Sequence, residues 1–460
     1  MATIVDLPLP RIPSSPIHPG IPPELSDRVI DFLHDDWAAL KACSLTCKAW
    51  LPSSRFHLWN RVVLRYSGDG TDYAEFLKTS PVITSCIVDL TVEFQTNRNS
   101  DTSREAEAKW MSETLIPIFS TLGILRQLLF VGADFREDAF LAKICSSLST
   151  ASVVQLSMCH FSKFSRFVEL VWSCPSLENL RIDTISFDQV DAYTPRPPDV
   201  PRPELKFLMI IYYSSVHMPV VIDWLVSEGF CTHVDFLVVF QQHIECPAIT
   251  RLLPAVGSNL RHLSVSYAFL PTVPDSKDGK SVVSPFSRGT RRVRSMQETP
   301  FYWSAPFISP SAVETPTFQS LHFTSRIERP YLPTFILPKA DSADLFPTIA
   351  HCTDLRTLNF IFAGIATFAW IPLVISQISS PHVEEIDLGI ADIFAPDDFD
   401  RFDWPSLWSA LTHPRFVKLK SVRFMVAAES CQSSKKMKDC ITRHLKKIDT
   451  RGLIHVECPI

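Results

Sequence analysis

The feature that most restricts the fold of this chain is a short pattern, apolar-x-x-apolar-x-apolar, that returns about twelve times between Ile87 and Cys458. Its copies include Leu125/Leu128/Phe130, Val153/Leu156/Met158, Leu177/Leu180/Ile182, Leu205/Leu208/Ile210, Val234/Leu237/Val239 and Leu260/Leu263/Val265. From Leu128 to Leu156 the step is 28 residues, and the next steps to Leu263 are 24, 28, 29 and 26. Two apolar residues two positions apart face one side of a strand, and the first member of the pattern anchors the incoming chain against the same core. Helix-compatible stretches such as Phe164 to Trp172 and Pro219 to Leu225 fill the intervals. One strand and one helix cannot bury their apolar faces alone, but a stack of such units can. The pattern therefore predicts an α/β chain of parallel strands backed by helices.

These units are similar to leucine-rich repeats, in a degenerate form. The family's usual unit places an Asn or Cys three residues after the third apolar position, where its side chain caps the turn. Here that slot holds Ala133, Phe161, Ile185, Tyr213, Gln242 or Ala268. The resemblance implies an irregular solenoid over residues 80–460, strands on a concave face and helices on a convex one. Later copies, Phe318/Leu321/Phe323, Leu355/Leu358/Phe360, Val383/Ile386/Leu388, Leu419/Val422/Phe424 and Leu453/Val456/Cys458, continue the series with longer steps. The segment 271–316, rich in Ser, Pro and Thr, is expected to loop out as a disordered insertion.

Thr357 to Val383 lacks Asp, Glu, Lys and Arg and is long enough to span a bilayer. Gly364 and Pro372 interrupt it, so a strand, a turn and a buried helix are expected instead. Met1 to Pro23 holds seven prolines and no unbroken apolar run, which argues against a signal peptide and for a disordered tail over residues 1–20. The twelve cysteines include no Cys-x-x-Cys pair, so no metal site, no cofactor and no disulfide framework are expected, and a cytoplasmic or nuclear setting fits. A net charge of -5 with dispersed Lys and Arg disfavours nucleic acid. The basic run Arg288 to Arg294 and the acidic run Asp397 to Asp403 read as solvated loops. Motifs of phosphate-binding loops, nucleophile elbows and zinc proteases are absent, so no catalysis is expected of the chain.

The N-terminal part carries a second pattern. Ile21-Pro22-Pro23-Glu24-Leu25 opens a helix with Leu25, Val29 and Leu33 at four-residue steps. Asp35-Asp36 caps a second helix, Trp37 to Leu51, with Cys43 and Cys47 on its apolar face and Pro52 as its stop. A third helix is expected over Ser54 to Arg65. Pro22, Glu24, Leu25, Ile30, Leu33, Leu40, Cys43, Ser44, Leu45, Cys47, Lys48, Trp50, Leu58 and Trp59 together resemble, in order and spacing, the F-box of fungal proteins. The resemblance covers residues 21–66, with Leu45 where the family has Val and Lys48 near its usual Arg.

That resemblance implies docking onto a Skp-type adaptor and through it a cullin scaffold, with Pro22, Leu25, Ile30, Leu33, Leu45 and Trp50 among the contacts. It makes the chain the substrate receptor of an SCF-type ubiquitin ligase, acting by proximity without catalysis of its own. The alternative is a repeat scaffold whose F-box recruits no ligase. For substrate, the residues flanking the strand apolars fall on the open face: Asn179 and Arg181, Phe207 and Met209, Phe236 and Val238, and His262 and Ser264. Two apolar rows between polar ones suit a protein-binding surface.

Overall fold

The computed structural model describes residues 22–66, 72–94, 101–196, 202–212, 217–241, 247–268, 347–363, 371–390, 402–426, 431–446 and 452–457. The tail 1–20, the insertion 271–316, the Phe318/Leu321/Phe323 unit and most of the acidic run lie outside them. The chain divides into two compact units, residues 1–131 with 139–151, and residues 132–138 with 152–460.

The first unit opens with three helices, α1 (Pro23–Phe32), α2 (Trp37–Thr46) and α3 (Leu51–Trp59). Proline in the first turn of α1 forfeits a donor that would be unpaired anyway, and the Asp36 carboxylate accepts from the Ala39 N–H at 2.9 Å to start α2. Two expectations about this region need correction. Helix α2 stops at Thr46, where Cys47 is fully extended, and Pro52 sits in the first turn of α3, where it starts a helix and does not end one. The third helix also ends at Trp59. Arg61–Tyr66 is a strand, β1, because Val62 and Leu64 are buried with exposed residues between them, a period of two that a helix cannot satisfy.

β1 pairs in parallel with β2 (Asp89–Phe94), and β2 with β3 (Gln127–Val131), setting Val62 beside Leu90 beside Leu128. The sheet of this unit thus begins within the segment expected to be wholly helical. Ahead of each strand the same hydrogen bonds recur: the Asn60 carbonyl accepts from the N–H groups of Val88 and Asp89, and the Val88 carbonyl from those of Arg126 and Gln127.

In the second unit the chain forms β4 (Asp134–Phe135), β5 (Val153–Ser157), β6 (His160–Lys163), β7 (Asn179–Asp183), β8 (Ser186–Gln189), β9 (Phe207–Tyr212) and β10 (Phe236–Gln241). There follow β11 (His262–Ala268), β12 (Thr357–Ala363), β13 (Glu385–Ile390), β14 (Ser421–Val426) and β15 (Ile454–Glu457). Strands β5, β7 and β9 to β15 pair in that order, every pair parallel. Parallel neighbours need a crossover, which helices such as Phe164–Trp172, Met218–Ser227 and Pro247–Val256 supply.

The core is built row by row. Val154, Leu180, Leu208, Leu237, Leu263, Leu358, Ile386 and Val422 occupy one register line and are all buried. The carbonyl before each strand repeats the pattern of the first unit, Glu178 accepting from Lys206 and Phe207, Lys206 from Asp235 and Phe236, and Asp235 from Arg261 and His262. Backbone groups entering the strands are thereby satisfied.

The register corrects the sequence frame at β5 and β15. At β5 the inward pair is Val154 and Leu156, while Val153 is half-buried and Met158 is exposed. With Val154 as the central residue, the steps from Leu128 and to Leu180 are both 26, since 154 − 128 and 180 − 154 agree. At β15 the inward pair is Ile454 and Val456, opposite Val422 and Phe424. Strands β11 and β12 pair directly.

Left-handed backbone at Gly132, Met158 and Thr184 (φ 69, 52 and 49°), again 26 residues apart, turns the chain from one sheet into a second one of order β4-β6-β8. There Phe135 stacks on Phe161 with ring centroids 4.8 Å apart, and Phe187 tilts toward Phe161 at 6.0 Å. These rings fill the turn layer. Thr357 to Val383 holds strand β12 and the helix Ile371–Gln377, and among the described residues no helix is long and apolar enough to cross a membrane.

Candidate functional site

Each unit offers one surface to consider. In the three helices of the first unit, Ile30, Leu40 and Leu58 form a small buried core, and Leu33, Trp50 and Trp59 pack against it. Ser26 also turns inward. Two polar links tie α1 to α3, Asp31 Oδ1 with His57 Nε2 at 2.7 Å and Asp27 with the Ser53 hydroxyl. Forty or so residues with a core this small keep much apolar surface in water.

The six residues singled out from the sequence separate into two groups. Pro22, Leu25 and Leu45 are exposed, Leu25 by 53% and Leu45 by 87%, while Ile30 is fully buried and Leu33 and Trp50 are engaged with the core. The stripe Leu25, Val29 and Leu33 divides accordingly, its first two members facing solvent. Sequence reasoning passed over Phe32, 88% exposed, and Trp37, 54% exposed. The signal was available, since Leu25, Val29 and Phe32 stand at i, i+4 and i+7. Cys47, expected in the core, is exposed, whereas Cys43 is buried.

In the second unit, the strand residues that alternate with the core rows lie on the other side of the sheet. One register line reads Asn179, Phe207, Phe236, His262, Thr357 and Glu385, and the next Arg181, Met209, Val238, Ser264, Asn359, Asp387 and Arg423. All eight residues expected on the open face therefore fall on one side: Asn179, Arg181, Phe207, Met209, Phe236, Val238 and His262 are half-buried, and Ser264 is buried. Parallel register places equivalent side chains one strand spacing apart, about 4.8 Å, which is the distance for ring stacking. Phe207 stacks on Phe236 at 5.0 Å, Phe236 on the His262 ring at 5.3 Å, and the Arg181 guanidinium lies 5.1 Å from the Phe207 centroid. Burial pulls the His262 pKa down, with Arg261 and Arg356 adding to the effect against Asp235, so the end of the stack is an uncharged imidazole at neutral pH.

Charge is distributed unevenly along this face. Arg423 binds Asp387 in two parallel hydrogen bonds of 2.7 and 2.8 Å and reaches Glu385 at 3.3 Å, and the Asp387 bond holds the guanidinium pKa up. Burial raises the Asp183 carboxyl pKa, partly offset by the hydroxyls of Ser157 and Thr184 at 2.7 and 2.9 Å. Asn359 Oδ1 is buried without a donor among the described residues.

A cavity of about 310 Å³ opens where strands β9 to β12 begin, lined by Glu204, Lys206, His233, Asp235, Asn259, Arg261 and Asp354. Its charges are largely answered, Lys206 by Glu178 at 2.7 Å and Arg261 by Asp354 at 3.4 Å. His160 clips β6 to β8 through Ser186 Oγ at 2.7 Å and Asp188 Oδ1 at 3.0 Å. Among the described residues no group of three or more His, Cys, Asp or Glu is arranged to hold a metal ion. Neither known protein families nor curated proteins give a match to this chain.

Proposed function

We propose that the chain is the substrate-receptor subunit of an SCF-type ubiquitin ligase. Its N-terminal helices would form the F-box that docks a Skp-type adaptor, and the outer strand face of its repeat unit would hold the client protein. The observation that carries this reading is the exposure of Leu25, Val29, Phe32 and Leu45 on α1 and α2 around a core of three buried residues. Fully burying one such side chain contributes about 1.5 to 3 kcal/mol, so a partner covering several of them would gain substantial affinity and would stabilise the module. The F-box-like order of residues from Pro22 to Trp59 supplies the identity of that partner.

In this reading Ile30, Leu33 and Trp50 hold the helices in place, and Pro22, Leu25 and Leu45 make the contacts, joined by Val29 and Phe32. The ligase function is positional: a bound client is kept near a conjugating enzyme, which raises the effective concentration of its lysines. Ring edges and faces at Phe207 and Phe236, flanked by polar residues, suit protein recognition better than small-molecule chemistry.

The test is co-purification of the full chain with a Skp-type adaptor. Leu25→Glu with Leu45→Glu should abolish association while circular dichroism and the thermal transition stay unchanged, since both side chains are exposed. Changing Leu33 instead would confuse docking with folding, because that residue packs on the core. Absence of association in the unaltered protein would refute the reading.

A further inference from the structure

Among the described residues, the outer strand face of the second unit carries one cation whose charge is left unanswered. Arg181 donates from Nε to Asn179 Oδ1 at 3.3 Å and lies over the Phe207 ring, but among the described residues it forms no ion pair with a carboxylate. Arg423, the seventh residue of the same register line, shows the satisfied counterpart, with Asp387 and Glu385 both engaged. Asp183, two residues beyond Arg181 on the same strand, is held by the Ser157 and Thr184 hydroxyls. A half-buried guanidinium gives up part of its hydration and regains it only from an anion or other acceptors.

We propose that this face binds an extended peptide segment of the client, with a carboxylate side chain on Arg181 and an apolar side chain on the Phe207–Phe236 pair. The inference rests on the reading that this face receives the client, and it is independent of adaptor docking. A carboxylate fits better than a phosphate dianion. One guanidinium balances one negative charge, and the Asp183 carboxyl, about 7 Å along the strand on the same face, would repel a second. The spacing follows from geometry. The Arg181 guanidinium reaches back to 5.1 Å from the Phe207 centroid and Phe207 lies 5.0 Å from Phe236, so the cation and the middle of the ring pair are within about 7 to 8 Å, the distance between side chains i and i+2 of an extended chain. The recognised element is therefore an Asp or Glu two residues from a Leu, Ile, Met or Phe.

The full-length protein, immobilised, would be screened against displayed random dodecapeptides, and enriched sequences would be measured as synthetic peptides by fluorescence anisotropy. The expected result is enrichment of acid-x-apolar sequences, with the acid-to-amide change weakening binding by about tenfold to a hundredfold. Arg181→Met should erase the difference between acid and amide peptides while apolar binding persists, and Arg181→Lys should restore part of it. Both variants are to show the unaltered thermal transition. Peptides that lose binding in Phe236→Ser but do not discriminate acid from amide would overturn this inference and leave the client face standing. A phosphoserine in place of the acid binding more tightly than the carboxylate would overturn it in the same way. No enriched peptide, or peptides indifferent to Phe236→Ser, would overturn both.

Discussion

Phe161 tests the reading that a ladder of rings closes the core in the turn layer. The side chain is fully buried, stacked on Phe135 at 4.8 Å with 22° between planes, edge-on to Phe167 at 5.8 Å and tilted toward Phe187 at 6.0 Å. Truncation of a buried Phe to Ala costs about 3 to 5 kcal/mol through lost burial and the cavity left behind. Phe161→Leu keeps most of the volume and loses the ring pairs, each worth about 0.5 to 1.5 kcal/mol, so its cost should be roughly half that of Phe161→Ala. Urea unfolding followed by tryptophan emission reads the change, because Trp224 is buried and 5.4 Å from Phe167 in the same ring cluster. Four kcal/mol shifts the unfolding equilibrium by nearly a thousandfold. A cost below about 1 kcal/mol for Phe161→Ala would refute the claim that this ladder closes the core.

Three further predictions concern other levels of the structure. Val62→Asp should destabilise the first unit by about 3 kcal/mol or more, since it buries an unpaired charge in a strand residue that is 2% exposed, whereas the same change in a surface helix would cost little; a calorimetric transition unchanged from the parent would contradict the strand assignment. Asp183 has its folded pKa raised by burial, so the folded state binds more protons than the unfolded one between the ordinary aspartate value and the raised one, and stability falls as pH rises through that window. Asp183→Asn should therefore gain on the parent with increasing pH above about 4, measured as the difference in unfolding midpoint, and a constant difference from pH 3 to 7 would argue against it. Native-state labelling with a maleimide should modify exposed Cys47 and spare Cys231 and Cys352, whose thiols are buried with pKa values pushed up to about 12, as peptide mass spectrometry would reveal.

Much of the second unit was legible because its signal is repeated. A buried pair such as Leu180 and Ile182 recurs in strand after strand, so one ambiguous copy is corrected by its neighbours, and the polar or aromatic residues between them fall on the opposite face by alternation alone. The errors occur where a local pattern had two solutions. Val153, Leu156 and Met158 satisfy the spacing as well as Ala151, Val154 and Leu156 do, and pairing with β7 chose the second. Arg61 to Tyr66 follows a helix without a break signal, and its strand state depends on Asp89 to Phe94 lying alongside. Pro52 is both a possible stop and a favoured start, and Cys47 turning extended decided the matter.

The candidate surfaces show the same division. From the sequence alone came the class of fold, the strand series with its alternating faces, the helical start at Pro22 and Pro23, and the residues that share the Phe207 and Phe236 rows, because periodicity is a local property of the chain. Only the tertiary structure decided that Ile30 is core and Leu45 is surface. It alone brought Asp387 to Arg423 across 36 residues, and left Arg181 on Phe207 without an ion pair among the described residues. Burial and charge pairing depend on which segments meet, and parallel register fixes those meetings between residues that the sequence holds far apart.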